Sequence, residues 1–158
     1  YIPQQEIGLL HIDIDGNDYW IWKAIEVIRP TIVIMEYNSV FGIDRAITVP
    51  YQADFVRTHA HSSNLYAGVS LLALCDLAEE KGYALVGSNS SGYNAYFVRQ
   101  DRLGALRALK PEEGYVVSKC REARGDNGEL LALRGAERLQ LIKGMDIYNT
   151  RTQQIEQL

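Results

Sequence analysis

Three aspartates lie close together near the start of the chain, in a pattern that can support several kinds of chemistry. Asp13, Asp15 and Asp18 occur in LLHIDIDGNDYWIWKAI, residues 9–25, between an apolar run and an aromatic-rich run. Carboxylates in such a segment can accept a proton from a substrate, bind a hard cation such as Mg²⁺, or cap the following helix. The elements on either side decide which of these roles the chain can support.

A second acidic residue, Glu36, ends the next apolar run, TIVIME, and is followed by Tyr37 and Asn38. Residues 7–14 and 31–36 are predicted strands, and residues 19–28 between them have helical spacing. Strand, short helix and strand predict a βαβ unit with parallel strands and a right-handed crossover.

Both acidic groups are therefore predicted to lie at the carboxyl ends of parallel strands, where open α/β sheets bind ligands. Helix capping is the simplest role for Asp18 alone. A ligand-binding role is favoured for Asp13 and Asp15 together with Glu36, because unpaired buried carboxylates are costly.

The only metal site that the sequence leaves open is one for a divalent cation bound by one or two carboxylates. An EF-hand is excluded, because that loop needs glycine at its sixth position, whereas Gly16 is the fourth residue counted from Asp13. Mg²⁺ held by Asp13 or Asp15 remains open, since it needs only one or two carboxylates. His59 and His61 are interpreted as surface histidines.

The central part of the chain predicts a long connection, a helix and a hairpin. Residues 38–68 are polar and are expected to cover a site, because structureless loops of this length are uncommon elsewhere. Residues 69–82 predict an amphipathic helix ending at Gly82. Strands at 83–88 and 94–99 are separated by a short turn, so they are predicted to be antiparallel.

The last third of the chain has a different character. It predicts a short helix at 102–109, two strands around the turn at 125–128, a helix at 136–144 and a polar tail. We therefore divide the chain into a domain at 1–101 and a small C-terminal α+β appendage at 102–158.

The composition limits the kinds of partner and the compartment that we expect for the chain. The net charge is −4 and the basic residues are scattered, so a nucleic-acid or anionic-membrane surface is not expected. No apolar run has the length of a membrane span. The chain has two cysteines, which we expect to be free thiols in a reducing cytoplasm. It opens on Tyr1 and soon enters a strand, which suggests a fragment.

Residues 7–100 resemble the C-terminal half of FkbM-like methyltransferases. The most specific part is the segment from Asp13 to Trp20, joined to the Glu36-Tyr37-Asn38 sequence, and the hairpin residues LAEEKGYALVGSNSSGYNAYFVR extend the likeness. The resemblance implies a class I methyltransferase that uses S-adenosylmethionine, usually acting on oxygen. That Rossmann-like fold has a mostly parallel sheet closed by an antiparallel hairpin, and this chain would supply its last four strands.

The positions of the acidic residues at the two strand ends predict their roles in such an enzyme. Asp15 and Glu36 would be catalytic, Asp13 would lie at the cofactor edge, and the substrate would contact Asp18, Tyr37 and Asn38. The Gly-rich loop and the acid that holds the ribose would lie upstream of Tyr1. The chain alone is therefore expected to bind S-adenosylmethionine weakly or not at all, and its substrate is expected to be a small hydroxylated molecule.

Two other readings of the sequence remain open. The HIDID segment also matches the Asp-x-Asp pattern with which metal-dependent glycosyltransferases hold a nucleotide sugar, although the predicted antiparallel hairpin argues against it. A lone half-domain could instead be a non-catalytic module that binds a partner through an exposed sheet edge, for example as a homodimer.

Overall fold

The computed structural model describes residues 7–158, and residues 1–6 of the predicted first domain lie outside this range. It contains seven strands and five α-helices in the described part of the chain. The strands are β1 (Leu9–Ile12), β2 (Ile32–Glu36), β3 (Ile47–Thr48), β4 (Tyr83–Ser88), β5 (Asn94–Arg99), β6 (Asp146–Asn149) and β7 (Gln154–Gln157). The helices are α1 (Asp18–Ala24), α2 (Arg57–Ala60), α3 (Leu71–Glu80), α4 (Pro111–Gly114) and α5 (Ala136–Leu141).

The larger sheet has the strand order β1-β2-β5-β4. Strands β1 and β2 are parallel, as the sequence predicts, and β4 and β5 form the predicted antiparallel hairpin. Strand β5 lies between β2 and β4 and is antiparallel to both. Strands β1, β2 and β4 therefore run in one direction and end at the same edge of the sheet. This arrangement confirms a mixed α/β fold.

The main core lies on one face of this sheet. Its buried side chains include Val33 and Met35 of β2, Phe97 of β5 and Trp22 of α1, whose ring lies 5.2 Å from that of Phe97. Residues 7–14 alternate little between apolar and polar, which is typical of a strand covered on both faces, but Leu9 of β1 is 50% exposed. Among the described residues β1 lies at one edge of the sheet, and a mostly apolar run does not reveal which strand takes that position.

Helix α1 is shorter than the predicted 19–28, because the backbone at Ile25 is extended, with ψ 110°. The side chain of Lys81 donates hydrogen bonds to the carbonyls of Lys23 and Ile25 at 3.1 and 2.9 Å. A distant lysine thus satisfies carbonyl groups at the helix end that would otherwise lack donors. The apolar spacing of residues 25–28 cannot reveal that contact.

Helix α3 confirms the predicted helix, with its ends set by the residues at its boundaries. Ser70 is the N-cap and accepts a hydrogen bond from the amide of Ala73 at 3.2 Å. Its hydroxyl also accepts one from the amide of Ile47 at 3.0 Å, which ties the helix to β3. Gly82 follows the helix with φ +80°, a conformation that favours glycine.

The C-terminal third differs from the sequence prediction in three places. Residues 102–109 are not a helix; only a 3₁₀ turn at Gln100–Arg102 and the short α4 are formed. The strands expected around 125–128 reduce to one bridge between Arg124 and Leu130. The expected polar tail forms the hairpin of β6 and β7.

A three-stranded sheet of order β3-β6-β7 explains the last of these differences. Strand β3 comes from the 38–68 connection and pairs with β6. The tail is polar in sequence, yet Ile147 is fully buried in a second core together with Ile47, Leu65 and Ile142. The tail is ordered by a partner strand that is remote in sequence, which local pattern cannot anticipate.

In the part of the chain that the structure describes, every helix is too short or too polar to cross a bilayer.

Substitution of Ser70 by alanine tests the junction between α3 and β3. The change leaves two buried amides, those of Ile47 and Ala73, without their hydroxyl acceptor. We expect a loss of about 2 kcal/mol in the free energy of unfolding, measured by urea denaturation. The matched control is Ser62→Ala at an exposed serine, which we expect to change stability by less than about 0.5 kcal/mol. Equal effects of the two substitutions would contradict this role.

Candidate functional site

The acidic residues singled out in the sequence lie at the edge where β1 and β2 end. Ile12 pairs with Met35, so Asp13 and Glu36 are the next residues at this edge. Asn94, the first residue of β5, lies directly opposite Glu36. Side chains opposite each other on paired strands share one face of the sheet. We call Asp13, Glu36 and Asn94, with their neighbours, the rim site.

Asp18 is fully buried and holds the turn between β1 and α1. Its two carboxylate oxygens accept hydrogen bonds from the amides of Ile14 and Gly16, at 3.0 and 2.9 Å. Burial raises the pKa of Asp18, and the backbone hydrogen bonds oppose that rise. These contacts give Asp18 a structural role, and they provide no support for its predicted contact with a substrate.

Asp15 is held by a residue from the 38–68 connection. Its carboxylate accepts a hydrogen bond from the guanidinium of Arg57 at 2.6 Å, and its backbone is left-handed, with φ +57°. A non-glycine residue in this region is uncommon and indicates a local constraint. The carboxylate stays accessible, with 57% of the side chain exposed.

The same connection packs on the turn around Gly16. Asn17 donates a side-chain hydrogen bond to the carbonyl of Gln52 at 2.7 Å, and Trp20 donates to that of Val49 at 3.0 Å. A Cβ atom at Gly16 would lie 2.2 Å from the ring of Phe55. The connection therefore covers this end of the sheet and requires glycine at position 16.

Glu36 forms a mostly buried ion pair with Arg121, which lies in the C-terminal third of the chain. The guanidinium donates to the Glu36 carboxylate at 2.7 Å, with 14% of the Glu36 side chain and 8% of the Arg121 side chain exposed. Burial raises the pKa of Glu36 above its ordinary value of 4.5; Arg121 opposes the rise, and the charges of Asp13 and Asp18 add to it. The protonation of Glu36 therefore depends on its burial and on the charges around it.

Arg121 also connects Glu36 to the neighbouring side chains. Its guanidinium donates to the side-chain oxygen of Asn38 at 2.6 Å and lies over the ring of Tyr93, 5.4 Å from the ring centroid. Three groups thus fix the position of one buried cation. Fixed guanidinium groups of this kind orient carboxylates well because the planar fork loses little freedom on binding.

Asn38 and Tyr37, both predicted to contact a substrate, are occupied by contacts within the protein. The amide nitrogen of Asn38 donates to the carbonyls of Leu65 and Ala67 at 2.8 and 2.9 Å. The hydroxyl of Tyr37, whose side chain is fully buried, donates to the carbonyl of Val116 at 2.7 Å. Both residues join the rim to the rest of the chain rather than offering free groups to a ligand.

Asp13 and Asn94 retain capacity for a ligand. The Asp13 side chain is 46% exposed and has His11 at 3.9 Å. The side-chain oxygen of Asn94 is buried and accepts no hydrogen bond from the described residues. A buried acceptor without a donor is unusual in folded proteins.

Metal binding at this edge has limited support. Among residues 7–158, no three or more His, Cys, Asp and Glu side chains are grouped so as to hold a metal ion. The ion pair with Arg57 also competes for the carboxylate of Asp15.

Sequence reasoning missed the two arginines that control the acidic groups. Arg57 and Arg121 lie 42 and 85 residues from their carboxylate partners. A carboxylate at the end of a buried strand does signal that a cation must be near. It does not identify which of the 16 basic residues supplies it.

Comparisons of the chain with protein-family models, with curated proteins and with solved structures give no match.

The pH dependence of stability tests the buried ion pair. Because the pKa of Glu36 is raised on folding, folded protein holds the proton more tightly than unfolded protein, and stability falls as the pH rises from about 4.5 through the raised value. Arg121→Met removes the main opposing charge and raises that pKa further. We expect a loss of about 3 kcal/mol at pH 7 and a clearly smaller loss near pH 4, measured by urea unfolding.

The control for this prediction is the double variant Glu36→Gln/Arg121→Met compared with Glu36→Gln alone. Without the carboxylate, the effect of Arg121→Met on unfolding is expected to be the same at both pH values. A pH-independent loss in the native background would show that Arg121 acts through packing alone.

A second prediction concerns the close contact at Gly16. Gly16→Ala places a methyl group against the ring of Phe55 and is expected to destabilise the protein by about 1–3 kcal/mol. Gly8→Ala is the matched control, since a Cβ there meets nothing within 4 Å. Phe55→Ala should remove most of the Gly16→Ala penalty in a double-mutant cycle. Additive effects would mean that the ring is not the obstacle.

Proposed function

We propose that the chain is the acceptor-binding half of an S-adenosylmethionine-dependent methyltransferase acting on a hydroxyl group of a small molecule. The observation that carries this proposal is the rim site itself. Parallel strands β1 and β2 bring Asp13 and Glu36 to one edge of a sheet that the antiparallel hairpin β4–β5 completes. These features accord with the resemblance of residues 7–100 to FkbM-like methyltransferases.

Glu36 is the group best suited to act as general base. A carboxyl whose pKa is raised toward neutrality is a better proton acceptor than an ordinary carboxylate. Burial raises the pKa of Glu36, and Arg121 fixes its orientation through the bond at 2.7 Å. Glu36 would take the proton of the acceptor hydroxyl, and Asn94 opposite it would accept a hydrogen bond from a second hydroxyl.

Asp15 and Asp13 have different parts in this proposal. Asp15, predicted as a second catalytic residue, is held by Arg57 and would position the acceptor through its exposed oxygen. Asp13 is the accessible carboxylate nearest the end of β1 and would line the cofactor edge. Most of the rate gain would come from holding the reactants in place, which can contribute about 7–11 kcal/mol in favourable systems.

S-adenosylmethionine supplies an electrophilic methyl group when it is bound. The described residues could contact only one side of such a cofactor, because Asp13 is accessible and Asn94 has an unsatisfied oxygen. The resemblance assigns the remaining contacts to a Gly-rich loop and an acidic residue in a half that precedes β1. A bound Mg²⁺ remains a secondary expectation of the sequence.

Cofactor binding is the first test. By calorimetry, we expect the chain alone to bind S-adenosylmethionine with a Kd above about 1 mM, and the product of the complete coding sequence to bind it at about micromolar Kd. Micromolar binding by the chain alone would contradict the division of the cofactor site. Absence of binding to the complete product would overturn the methyltransferase proposal.

The roles of Glu36 and Asp15 are tested by turnover of the same complete product. Formation of S-adenosylhomocysteine with a panel of hydroxylated acceptors should fall by about 10²–10⁴-fold in Glu36→Gln. A smaller loss is expected for Asp15→Asn. Glu113→Gln, at an acid that caps α4, is the matched control and should leave turnover unchanged. Full turnover in both rim variants would refute the assignment.

The alternative functions have less support. A metal-dependent glycosyltransferase would need the Asp-x-Asp carboxylates to face a cation, whereas Asp15 is paired with Arg57 at 2.6 Å. A partner-binding module is favoured by one observation, the half-exposed Leu9 on edge strand β1. Self-association of the chain, measured by sedimentation, would favour that module.

A further inference from the structure

Arg138 is a buried cation that lacks an anionic partner in the described part of the chain. Only 3% of the residue is exposed, and its Nε–H has no hydrogen-bond acceptor. Nη1 donates to the carbonyl and the hydroxyl of Ser118 at 2.7 and 3.2 Å, and Nη2 makes one long contact at 3.4 Å with the carbonyl of Lys119. Burying a charge without a counter-charge is costly, so an anion that reached this guanidinium would be bound favourably.

Arg121 differs from Arg138 in that it has a carboxylate partner. Arg121 is mostly buried, with 8% of its side chain exposed, and it is paired with Glu36 at 2.7 Å. Arg138 has two unused or poorly used positions, Nε and Nη2, on the same edge of its guanidinium. A guanidinium edge with two such N–H groups can bind a carboxylate through two parallel bonds. Nε is covered by protein atoms, so the Arg138 side chain has to turn toward the pocket for a carboxylate to reach this edge.

Arg138 lines a pocket of about 260 Å³ between the turn at 39–42, the segment at 115–118 and helix α5. The wall is mostly apolar and includes Val40, Tyr115, Val117 and Leu139. Val117 is 51% exposed, so solvent reaches the pocket on that side. A cavity of about 150 Å³ can hold benzene, so this pocket has room for a small ring or a short branched chain with a polar group.

Two serine hydroxyls add a hydrogen-bond donor beside the guanidinium. Ser39 and Ser118 are buried, and their hydroxyl oxygens lie 2.8 Å apart. The pair carries two hydroxyl hydrogens, and the bond between them uses one. The other hydrogen has no acceptor among the described residues and is available to a ligand oxygen.

Among the described residues, the acidic groups nearest the pocket do not pair with Arg138. Asp44 lies near enough to contribute to the raised pKa of Tyr115, but it makes no ion pair with Arg138. Glu137, the neighbour of Arg138 in α5, accepts a hydrogen bond from the amide of Arg134 at 3.0 Å instead. The guanidinium edge therefore stays without a carboxylate.

We propose that this pocket binds a small organic carboxylate, with the carboxylate on the guanidinium of Arg138 and the apolar body against Tyr115 and Leu139. An apolar wall with one cation and one hydroxyl donor fits this class better than inorganic phosphate, which has no apolar part. The site is separate from the rim residues, and the inference does not depend on the proposed methyltransferase function.

The test uses benzoate as the probe and benzamide as its neutral analogue of the same shape. In amide chemical-shift titrations of the chain, we expect saturable benzoate binding that perturbs Ser118 and Gly135, and at least tenfold weaker binding of benzamide. Absence of saturation up to about 10 mM benzoate would overturn the proposal. Equal binding of benzamide, or tighter binding of inorganic phosphate, would also overturn it.

The variant Arg138→Met removes the charge and keeps the length of the side chain. It is expected to weaken benzoate binding at least tenfold without lowering thermal stability, because an uncompensated buried charge is lost. Arg134→Met, at an exposed arginine next to the same helix, is the matched control and should bind benzoate as the native chain does. Unchanged binding in Arg138→Met would refute the site. If that variant does not fold, the comparison of benzoate with benzamide on the native chain decides.

Discussion

The buried ion pair between Glu36 and Arg121 is the contact on which the candidate site depends. Strand β2 ends on a carboxylate with little access to water, and such a charge requires a partner. That partner comes from 85 residues further along the chain, so the C-terminal third must fold against the sheet for the rim to form. The same guanidinium fixes Asn38 and lies over Tyr93, so one cation orders the end of β2 and the turn before β5.

The 38–68 connection has a comparable role on the other side of the rim. It supplies Arg57 to Asp15, the ring of Phe55 beside Gly16, and strand β3 to the second sheet. A segment that looks like a loop in sequence is therefore part of two packed structures. With these contacts in place the carboxylates of Asp13 and Asp15 stay exposed to a ligand, and with Glu36 they set the chemistry that the rim can perform.

Arg121 and Arg138 are both largely shielded from water, but they differ in whether a carboxylate of the protein compensates their charge. Arg121 has its carboxylate, and its role is to orient a side chain of the protein. Among the described residues, the hydrogen-bond acceptors of Arg138 are neutral oxygens of Ser118 and Lys119, and it lines a pocket with an apolar wall. This difference in charge compensation assigns Arg121 the role of orienting Glu36, and it leaves Arg138 able to bind a ligand.

The sequence by itself determined the elements whose signals are local. The parallel pair β1 and β2, helix α3 with Ser70 and Gly82 at its ends, and the β4–β5 hairpin follow from apolar spacing, capping and turn length. The edge position of β1, the early end of α1 and the β6–β7 hairpin were decided by tertiary structure. The partners of Asp15 and Glu36 were decided in the same way. In each case the deciding contact joins residues far apart in the chain, and a local pattern cannot specify which distant strand, lysine or arginine will meet it.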